Sequence, residues 1–209
     1  MQHIEQTGVS WQRLADLFFE VGMLRRTQRS GYQFLGSGQE SVAEHSYRTA
    51  VIGLVLAKLS GLDWSKVVCM CLFHDLHEAR TGDFNYVNRM YNSCQAEQAL
   101  SDALKDTGMQ EDILRLQKEL EEVSSQEAAL AQDADQLDLI LSLKQEQDLG
   151  NPYAPKWLHH AQKRLRTTWG LDLAQAVLQR DHTDWWFTSA SSSWWSKANG
   201  RQRDSDHLG

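Results

Sequence analysis

Two histidines and two aspartates occur in short phrases whose residue types could bind a metal ion. His45 follows Glu44, His74 and Asp75 are adjacent, and Asp135 lies further along the chain. Two imidazoles and two carboxylates make a mixed nitrogen and oxygen ligand set, which suits a divalent transition metal with open coordination positions. An open position can hold a water molecule, lower its pKa and direct it at an electrophile. The sequence therefore predicts one divalent metal ion held by these side chains, and hydrolytic chemistry beside it.

The apolar surroundings of these residues strengthen the metal prediction. A single histidine in such a segment would more often be a hydrogen-bonded core residue, but here His74 and Asp75 end one apolar segment and Asp135 lies in another. Burying ionised carboxylates without a counter-charge costs several kcal/mol. A divalent cation would supply that counter-charge.

Two further carboxylates follow closely enough to reach the same site. Glu78 comes four residues after His74, so a helical segment would place both over one face. A carboxylate that lies near a metal without binding it can accept a proton from metal-bound water. Asp83 follows a Thr-Gly turn that can return its side chain to the cavity. We predict Glu78 as the base and Asp83 as a site residue, with His77 in a supporting or surface role.

Three arginines, Arg25, Arg26 and Arg29, lie in a glycine-containing segment upstream of His45. Guanidinium groups match phosphate oxygens in fork geometry, and a phosphoryl substrate needs cationic contacts besides the metal. A phosphate-binding role and an ordinary surface role both fit these arginines.

Asp138 stands three residues after Asp135, which is about one helical turn. It could orient a metal ligand, cap a helix or form a surface salt bridge, and the sequence does not distinguish these roles.

Helices account for most of the chain in this interpretation, because prolines occur only at 152 and 155 and no segment shows sustained alternation. We expect an all-α domain over residues 8–183, a helical bundle whose central buried helices carry the metal ligands. The segment 25–41 should be an ordered loop, and 80–93 a loop or short helix. The predicted helices begin near Ser10, cover about 41–60, run from Asp63 to Phe73, cover about 95–107, 110–122 and 126–147, and end with a helix or helix pair over 155–181 broken at Gly170.

Apolar periodicity also predicts which faces are buried. The segment 63–73 is apolar all round, which predicts a central helix with Cys69 and Cys71 as buried free thiols. The recurring apolar residues are Trp11, Leu14, Phe18 and Val21 in the first helix, and Tyr47, Val51, Leu54, Val55 and Leu59 in the helix over 41–60.

Composition limits the function classes. The net charge is −7, and residues 97–148 hold fourteen acidic and four basic side chains, so we expect no nucleic-acid partner. No apolar run reaches the length of a membrane span. The beginning of the chain lacks the pattern of a secretory signal, and three cysteines form no ligand-like pair. A reducing cytoplasmic location is expected.

Residues 184–209 differ from the rest in being rich in serine and tryptophan. We expect this tail to be partly disordered. Its tryptophans could pack back onto the domain, form a dimer contact or cover the site. These tryptophans are Trp185, Trp186, Trp194 and Trp195.

Over about residues 8–180, the metal-ligand phrases resemble those of the HD-domain metal-dependent phosphohydrolases. The branch with bacterial 5′-deoxynucleotidases and the HD domain-containing protein 2 group is the most similar. This resemblance implies an all-helical domain in which His45, His74, Asp75 and Asp135 are the metal ligands. It implies that Glu78 activates water and Asp83 contacts the nucleotide sugar. It further implies that Arg29, or Arg26 in a shifted alignment, binds phosphate.

The resemblance predicts hydrolysis of a phosphomonoester, with a nucleoside or deoxynucleoside 5′-monophosphate as substrate and a homodimer as the assembly. The metal could be Mn, Co, Fe, Ni, Zn or Mg. The alternatives are pyrophosphohydrolysis of a nucleotide or alarmone, and a non-catalytic ligand sensor or scaffold that retains the metal. A di-iron oxygenase is disfavoured, because it needs further histidines after the doublet and none occurs between His77 and His159.

Overall fold

The computed structural model describes residues 9–187, where the backbone forms helices and turns with one isolated bridge between Gln28 and Ser41. The predicted all-α fold is therefore confirmed for this part of the chain. A 3-10 helix over Gly22–Arg25 follows the first α-helix. The α-helices are α1 (Trp11–Val21), α2 (Tyr32–Leu35), α3 (Val42–Ser60), α4 (Trp64–Phe73), α5 (Glu78–Thr81), α6 (Tyr86–Tyr91), α7 (Ala96–Leu104), α8 (Gln110–Glu122), α9 (Gln126–Asp148), α10 (Ala154–Gln162) and α11 (Thr168–Leu178).

The central helix is α9, which is 23 residues long and contacts α3, α4, α8, α10 and α11. Its Leu137, Ile140 and Leu143 are fully buried in the main core. Each such side chain contributes roughly 1.5–3 kcal/mol by leaving water. The helix that carries Asp135 is thus held by packing along its whole length.

The start of α3 is set by a capping box. The hydroxyl of Ser41 accepts a hydrogen bond from the Glu44 N–H, and the Glu44 carboxylate accepts one from the Ser41 N–H at 2.7 Å. This reciprocal pair fixes the beginning of the helix at Val42, three residues before His45. His45, the first of the predicted ligands, therefore projects from a well-defined first turn.

Gly53 allows α3 and α4 to approach each other closely. A Cβ atom at this position would lie 2.8 Å from the Cys71 sulfur and 3.0 Å from a Val67 methyl group. Any larger residue would separate the two helices. The close approach brings the end of α4, where His74 lies, beside His45.

The predicted apolar faces of α1 and α3 are wrong. Phe18 is 68% exposed and Tyr47 is 72% exposed, whereas the buried residue of α1 is Leu17. The buried face of α3 includes polar residues of the site, so apolar periodicity selected the opposite side. The residues exposed against expectation are Trp11, Phe18, Val21, Tyr47, Val51, Val55 and Leu59.

The expectation that α4 is buried all round is also wrong. Trp64 and Leu72 are exposed on its outer side, and Cys69 is only partly buried. The inner side holds Val67 and Cys71, which are buried. Because α4 lies at one side of α9, it covers the core with one face only.

The interruption between the last two helices, predicted at Gly170, lies before this residue. Thr167 caps α11, and Gly170 lies inside that helix. The carboxylate of Asp133 on α9 accepts hydrogen bonds from the Arg166 N–H at 2.8 Å and the Thr167 N–H at 2.9 Å. A Cβ atom at position 170 would overlap this carboxylate, so glycine is needed for close packing.

Within residues 9–187, every helix is too short or too polar to cross a bilayer. The beginning of the chain and most of the predicted tail, including Trp194 and Trp195, lie outside the described residues. Trp185 lies within them and is exposed.

Candidate metal centre and substrate cavity

The four predicted ligands converge from three helix regions. Nε2 of His45 lies 3.2 Å from Nε2 of His74 and 3.2 Å from Oδ1 of Asp135. Oδ2 of Asp75 lies 3.2 Å from Nε2 of His74 and 3.6 Å from Nε2 of His45. Metal–ligand bonds of about 2.0–2.2 Å would place neighbouring donor atoms about 3.0–3.6 Å apart. These distances are the size of a metal coordination sphere.

The hydrogen bonds of the two histidines favour a cation between them. Nδ1 of His45 lies 2.7 Å from Oδ2 of Asp138, and Nδ1 of His74 lies 2.8 Å from the backbone oxygen of Cys71. Each Nδ1 donates its proton to these acceptors, so each neutral ring directs the lone pair of Nε2 at the other ring. Two lone pairs beside two carboxylates repel one another unless positive charge lies among them.

The pKa values of the cluster also indicate that positive charge stabilises it. Burial opposes protonation of His45, but hydrogen bonds to Asp135 and Asp138 raise its pKa to about 10. Burial would raise the pKa of Asp135, but the histidines hold it at about 2. Without a metal, protons on imidazole nitrogens would therefore balance the carboxylates. The donor set fits a divalent cation that displaces them.

Glu78 adds a carboxylate with an unused oxygen. It is the first residue of α5 and is only 4% exposed. Its Oε2 has no hydrogen-bond partner among the described residues, and its side chain lines the same cavity as His74, Asp75 and Asp135. Burial and then the charges of Asp75 and Asp83 raise the pKa of Glu78 to about 9.

Arg29 and Asp83 reach the site together. Nη1 of Arg29 lies 3.2 Å from Oδ2 of Asp75. Oδ2 of Asp83 accepts hydrogen bonds from the N–H of Ser30 at 2.6 Å and from its hydroxyl at 3.0 Å. Asp83 therefore fixes the loop that carries Arg29. Arg26 is exposed, and the structure does not bring it to the cavity.

A cavity of about 550 Å³ opens beside these groups. This volume lies in the range of small-molecule sites. Three of the predicted ligands, His74, Asp75 and Asp135, line it together with Glu78 and with several aromatic rings. The aromatic residues are Tyr32, Phe84, Tyr86 and Trp157.

A second cavity, of about 660 Å³, opens on the other side of His74, Asp75 and Asp135. The half-buried His77 lines it, so His77 does not share the cavity of Glu78. The lining of this second cavity includes three cationic side chains from the segment between α10 and α11. These side chains are Lys163, Arg164 and Arg166.

Arg164 stands between the two cavities and lines both. Its guanidinium donates to the hydroxyl of Tyr86 and, at 3.5 Å, to the side-chain oxygen of Gln136. The amide nitrogen of Gln136 in turn donates to Oδ2 of Asp135 at 2.9 Å. Arg164 is therefore linked to a predicted metal ligand through one amide.

Comparison with known proteins identifies the family. A family model described as HD domain matches residues 21–176, which is well over half of the chain. The chain belongs to the HD domain family. The 5′-deoxynucleotidase HDDC2 of Bos taurus is 33% identical over 137 residues, which is 63% of this chain and 66% of that protein. The chain thus matches just under two thirds of that relative's length.

Solved structures share the fold of this HD domain. A conserved hypothetical protein from Pyrococcus furiosus has a TM-score of 0.68 and 28% identity, covering 79% of this chain and 99% of its own. A protein described as a predicted metal-dependent phosphohydrolase from Magnetospirillum magnetotacticum has a TM-score of 0.63 at 20% identity, covering 80% and 92%. At that identity the second likeness concerns the fold alone. The family resemblance expected from the motifs is confirmed.

Sequence reasoning missed several residues of this HD domain. The contact of Gln136 with Asp135 could have been suspected, because the two are adjacent. Nothing in the sequence pointed to Tyr86, Trp157 or Arg164, which lie in separate segments and belong to no recognisable motif.

Proposed function

We propose that this protein is a metal-dependent phosphohydrolase that cleaves a nucleoside 5′-monophosphate, with deoxynucleotides among its substrates. The observation that carries the proposal is the convergence of His45, His74, Asp75 and Asp135 beside the unpartnered carboxylate of Glu78. A bound divalent ion of Mn, Co, Fe, Ni, Zn or Mg supplies Lewis acidity and a water of lowered pKa.

Glu78 is the proposed proton carrier. Without a metal the raised pKa keeps this carboxyl protonated at neutral pH. A bound cation would offset the charge of Asp75 and favour the ionised form, which could accept a proton from water and return it to the leaving oxygen. Its burial keeps it close to the four ligands and away from bulk water. The unpartnered Oε2 leaves one oxygen able to hold a water molecule.

Arg29 is the proposed phosphate-binding cation of the main cavity. It already faces the carboxylate of Asp75, so it lies beside the position that a metal-bound phosphoryl group would occupy. Its guanidinium can offset phosphate charge and orient the ester. Asp83 is the proposed contact to the sugar, and its bonds to Ser30 keep the arginine loop in place.

The nucleoside is proposed to occupy the outer part of the main cavity. The rings of Tyr32, Tyr86 and Trp157 line this cavity, and flat aromatic side chains favour a flat base. The name 5′-deoxynucleotidase of the Bos taurus relative agrees with this substrate class.

A second candidate function is hydrolysis of nucleoside polyphosphates or alarmones to release pyrophosphate. The cationic wall of Lys163, Arg164 and Arg166 favours it, because it could hold additional phosphoryl groups beyond the metal ligands.

One assay tests both candidates. Purified protein is loaded with each metal in turn and given matched ribo- and deoxyribonucleoside mono-, di- and triphosphates and a guanosine 3′-diphosphate alarmone, and released phosphate and pyrophosphate are measured separately. Phosphate from monophosphates is expected. Pyrophosphate from triphosphates would support the second candidate. No turnover with any of these substrates, in protein shown to hold metal, would contradict both and favour a metal-retaining sensor or scaffold.

We also propose a homodimer in a reducing cytoplasm, with a small phosphorylated molecule rather than nucleic acid as ligand. The free state of Cys69, Cys71 and Cys94 supports the reducing location. Sedimentation equilibrium of the full chain tests the dimer, and a monomer at all concentrations would reject it.

A further inference from the structure

We infer that Asp138 is a positioning residue, whose buried carboxylate holds His45 in the tautomer and orientation that a metal ion requires. The inference rests on the proposed metal centre and is independent of the substrate. Asp138 touches none of the reacting atoms in this proposal. It acts through His45.

The contact between the two side chains is direct and excluded from water. Both residues are 0% exposed, and Oδ2 of Asp138 lies 2.7 Å from Nδ1 of His45. An ionised carboxylate has no proton to donate, so Nδ1 must carry the hydrogen. The lone pair of His45 then resides on Nε2, which faces His74 and Asp135.

Arg48 holds Asp138 from its other side. The guanidinium donates through Nε to Oδ1 of Asp138, and through Nη2 to the backbone oxygen of Asp138 at 3.3 Å and to Oε1 of Glu40 at 2.8 Å. Each carboxylate oxygen of Asp138 thus accepts from a different donor. Rotation of the carboxylate would break one of these bonds.

Helix geometry places the two supporting residues, Arg48 and Asp138, beside two of the proposed metal ligands. His45 and Arg48 are three residues apart on α3, and Asp135 and Asp138 are three residues apart on α9. Residues three apart lie on one helix face. Each of the two facing helices therefore supplies one proposed metal ligand and one of these two supporting residues.

The second histidine ligand has a different support. Nδ1 of His74 lies 2.8 Å from the backbone oxygen of Cys71, one turn earlier in the chain. Substitution of a side chain cannot remove that acceptor. Of the two histidines, only His45 is therefore oriented by a side-chain carboxylate, which a substitution can remove.

An asparagine at position 138 would keep the shape of the side chain but could not accept hydrogen bonds from both His45 and Arg48. Its amide has one accepting oxygen and one donating nitrogen, whereas His45 and Arg48 both present N–H groups to this residue. The N–H group of either His45 or Arg48 must then face the NH2 group of the asparagine, which is also a donor. Loss of such a support typically weakens metal affinity about ten- to a hundredfold.

The experiment measures zinc affinity of the full chain by competition with a chelator, comparing wild type with Asp138→Asn. Asp133→Asn is the matched control, since Asp133 is also fully buried on α9 but its side chain bonds to Arg166 and Thr167. We expect about ten- to a hundredfold weaker zinc binding in Asp138→Asn. Asp133→Asn should lower thermal stability and leave zinc affinity unchanged. Unchanged affinity in Asp138→Asn, or an equal loss in both variants, would overturn the inference.

A measurement on the wild-type protein covers the case in which Asp138→Asn does not fold. With ¹⁵N-labelled histidine and bound zinc, NMR should show the ring of His45 protonated at Nδ1 and coordinated through Nε2. Coordination through Nδ1 would refute the positioning role. Neither experiment uses a nucleotide, so a wrong substrate proposal would leave both results interpretable.

Discussion

Arg29 and Asp75 form an ion pair at 3.2 Å between Nη1 and Oδ2, which joins the loop before α3 to the histidine–aspartate doublet. The same oxygen of Asp75 also lies 3.2 Å from Nε2 of His74 and 3.6 Å from Nε2 of His45. The loop holds this position because the Arg29 N–H donates to the backbone oxygen of Glu40 at 2.8 Å. A phosphate that binds the metal would meet a cation that is already oriented.

Arg29→Met should therefore raise the KM for a nucleoside monophosphate. Loss of a charge-assisted contact is worth about 1.5–3 kcal/mol, which corresponds to roughly ten- to a hundredfold in kcat/KM. Arg26→Met is the control, because Arg26 is exposed outside the cavity. Steady-state kinetics of both variants would decide the matter. Equal effects of the two substitutions would show that Arg29 has no special role.

Glu78→Gln should abolish most of the turnover while keeping the metal. The amide preserves the size of the side chain but cannot accept a proton, so kcat should fall by about a hundred- to ten-thousandfold with little change in KM. Activity and metal content are measured on the same preparation. Near-normal turnover would exclude Glu78 as the base, whereas loss of metal would make it a ligand.

The metal-free protein should lose stability as the pH rises, partly because of Glu78. The folded state raises the pKa of this carboxyl from 4.5 to about 9, so the folded protein binds the proton more tightly than the unfolded chain. Its contribution is fully present below about 4.5 and is lost as the pH approaches 9. His45, with a pKa raised from 6.5 to about 10, acts in the same direction.

In the presence of a chelator, Glu78→Gln should therefore melt at a higher temperature than wild type at about pH 8. The difference should shrink towards about pH 4, where the wild-type carboxyl is protonated in both states. Thermal unfolding followed by circular dichroism across the pH range provides the measurement. A difference that stays constant with pH would mean that Glu78 is not the titrating group.

Arg164→Met should weaken binding of a nucleoside monophosphate more than binding of the free nucleoside. Arg164 lines both cavities and is linked through Gln136 to Asp135, so we expect its charge to act on a phosphate bound at the proposed metal centre. Arg166→Met is the matched control, because Arg166 lines only the second cavity. Calorimetric titration of both ligands into the metal-loaded variants would measure the effect. An equal loss for nucleoside and nucleotide would assign Arg164 to the base rather than to the phosphate.

Short-range features of the site could be predicted because neighbouring residues encode them. The doublet of His74 and Asp75 and the turn before Asp83 were visible as phrases in the sequence. The beginning of α3, expected near residue 41, is set locally by Ser41 and Glu44, whose bonds span three residues. Local hydrogen bonding and helix periodicity decide such features, so no knowledge of the tertiary fold was required.

The buried face of α3 could not be predicted in this way. Apolar periodicity favoured the side of Tyr47 and Val51, yet the core receives His45 and Thr49. A polar residue becomes favourable in the interior only when its partners are already there. For His45 the partner is Asp138, which lies 93 residues away in sequence.

The sequence by itself determined the helical class, the family and the residues able to bind a metal, because each rests on residue type and on spacing within a few turns. Only the tertiary structure decided that Arg29 rather than Arg26 reaches Asp75, and that Arg164 stands beside Gln136. It also showed that Asp138 is buried against His45 and does not lie at the surface. These outcomes depend on how α3, α9 and α10 pack. Packing brings together residues that are far apart in the sequence, and local sequence patterns do not reveal such contacts.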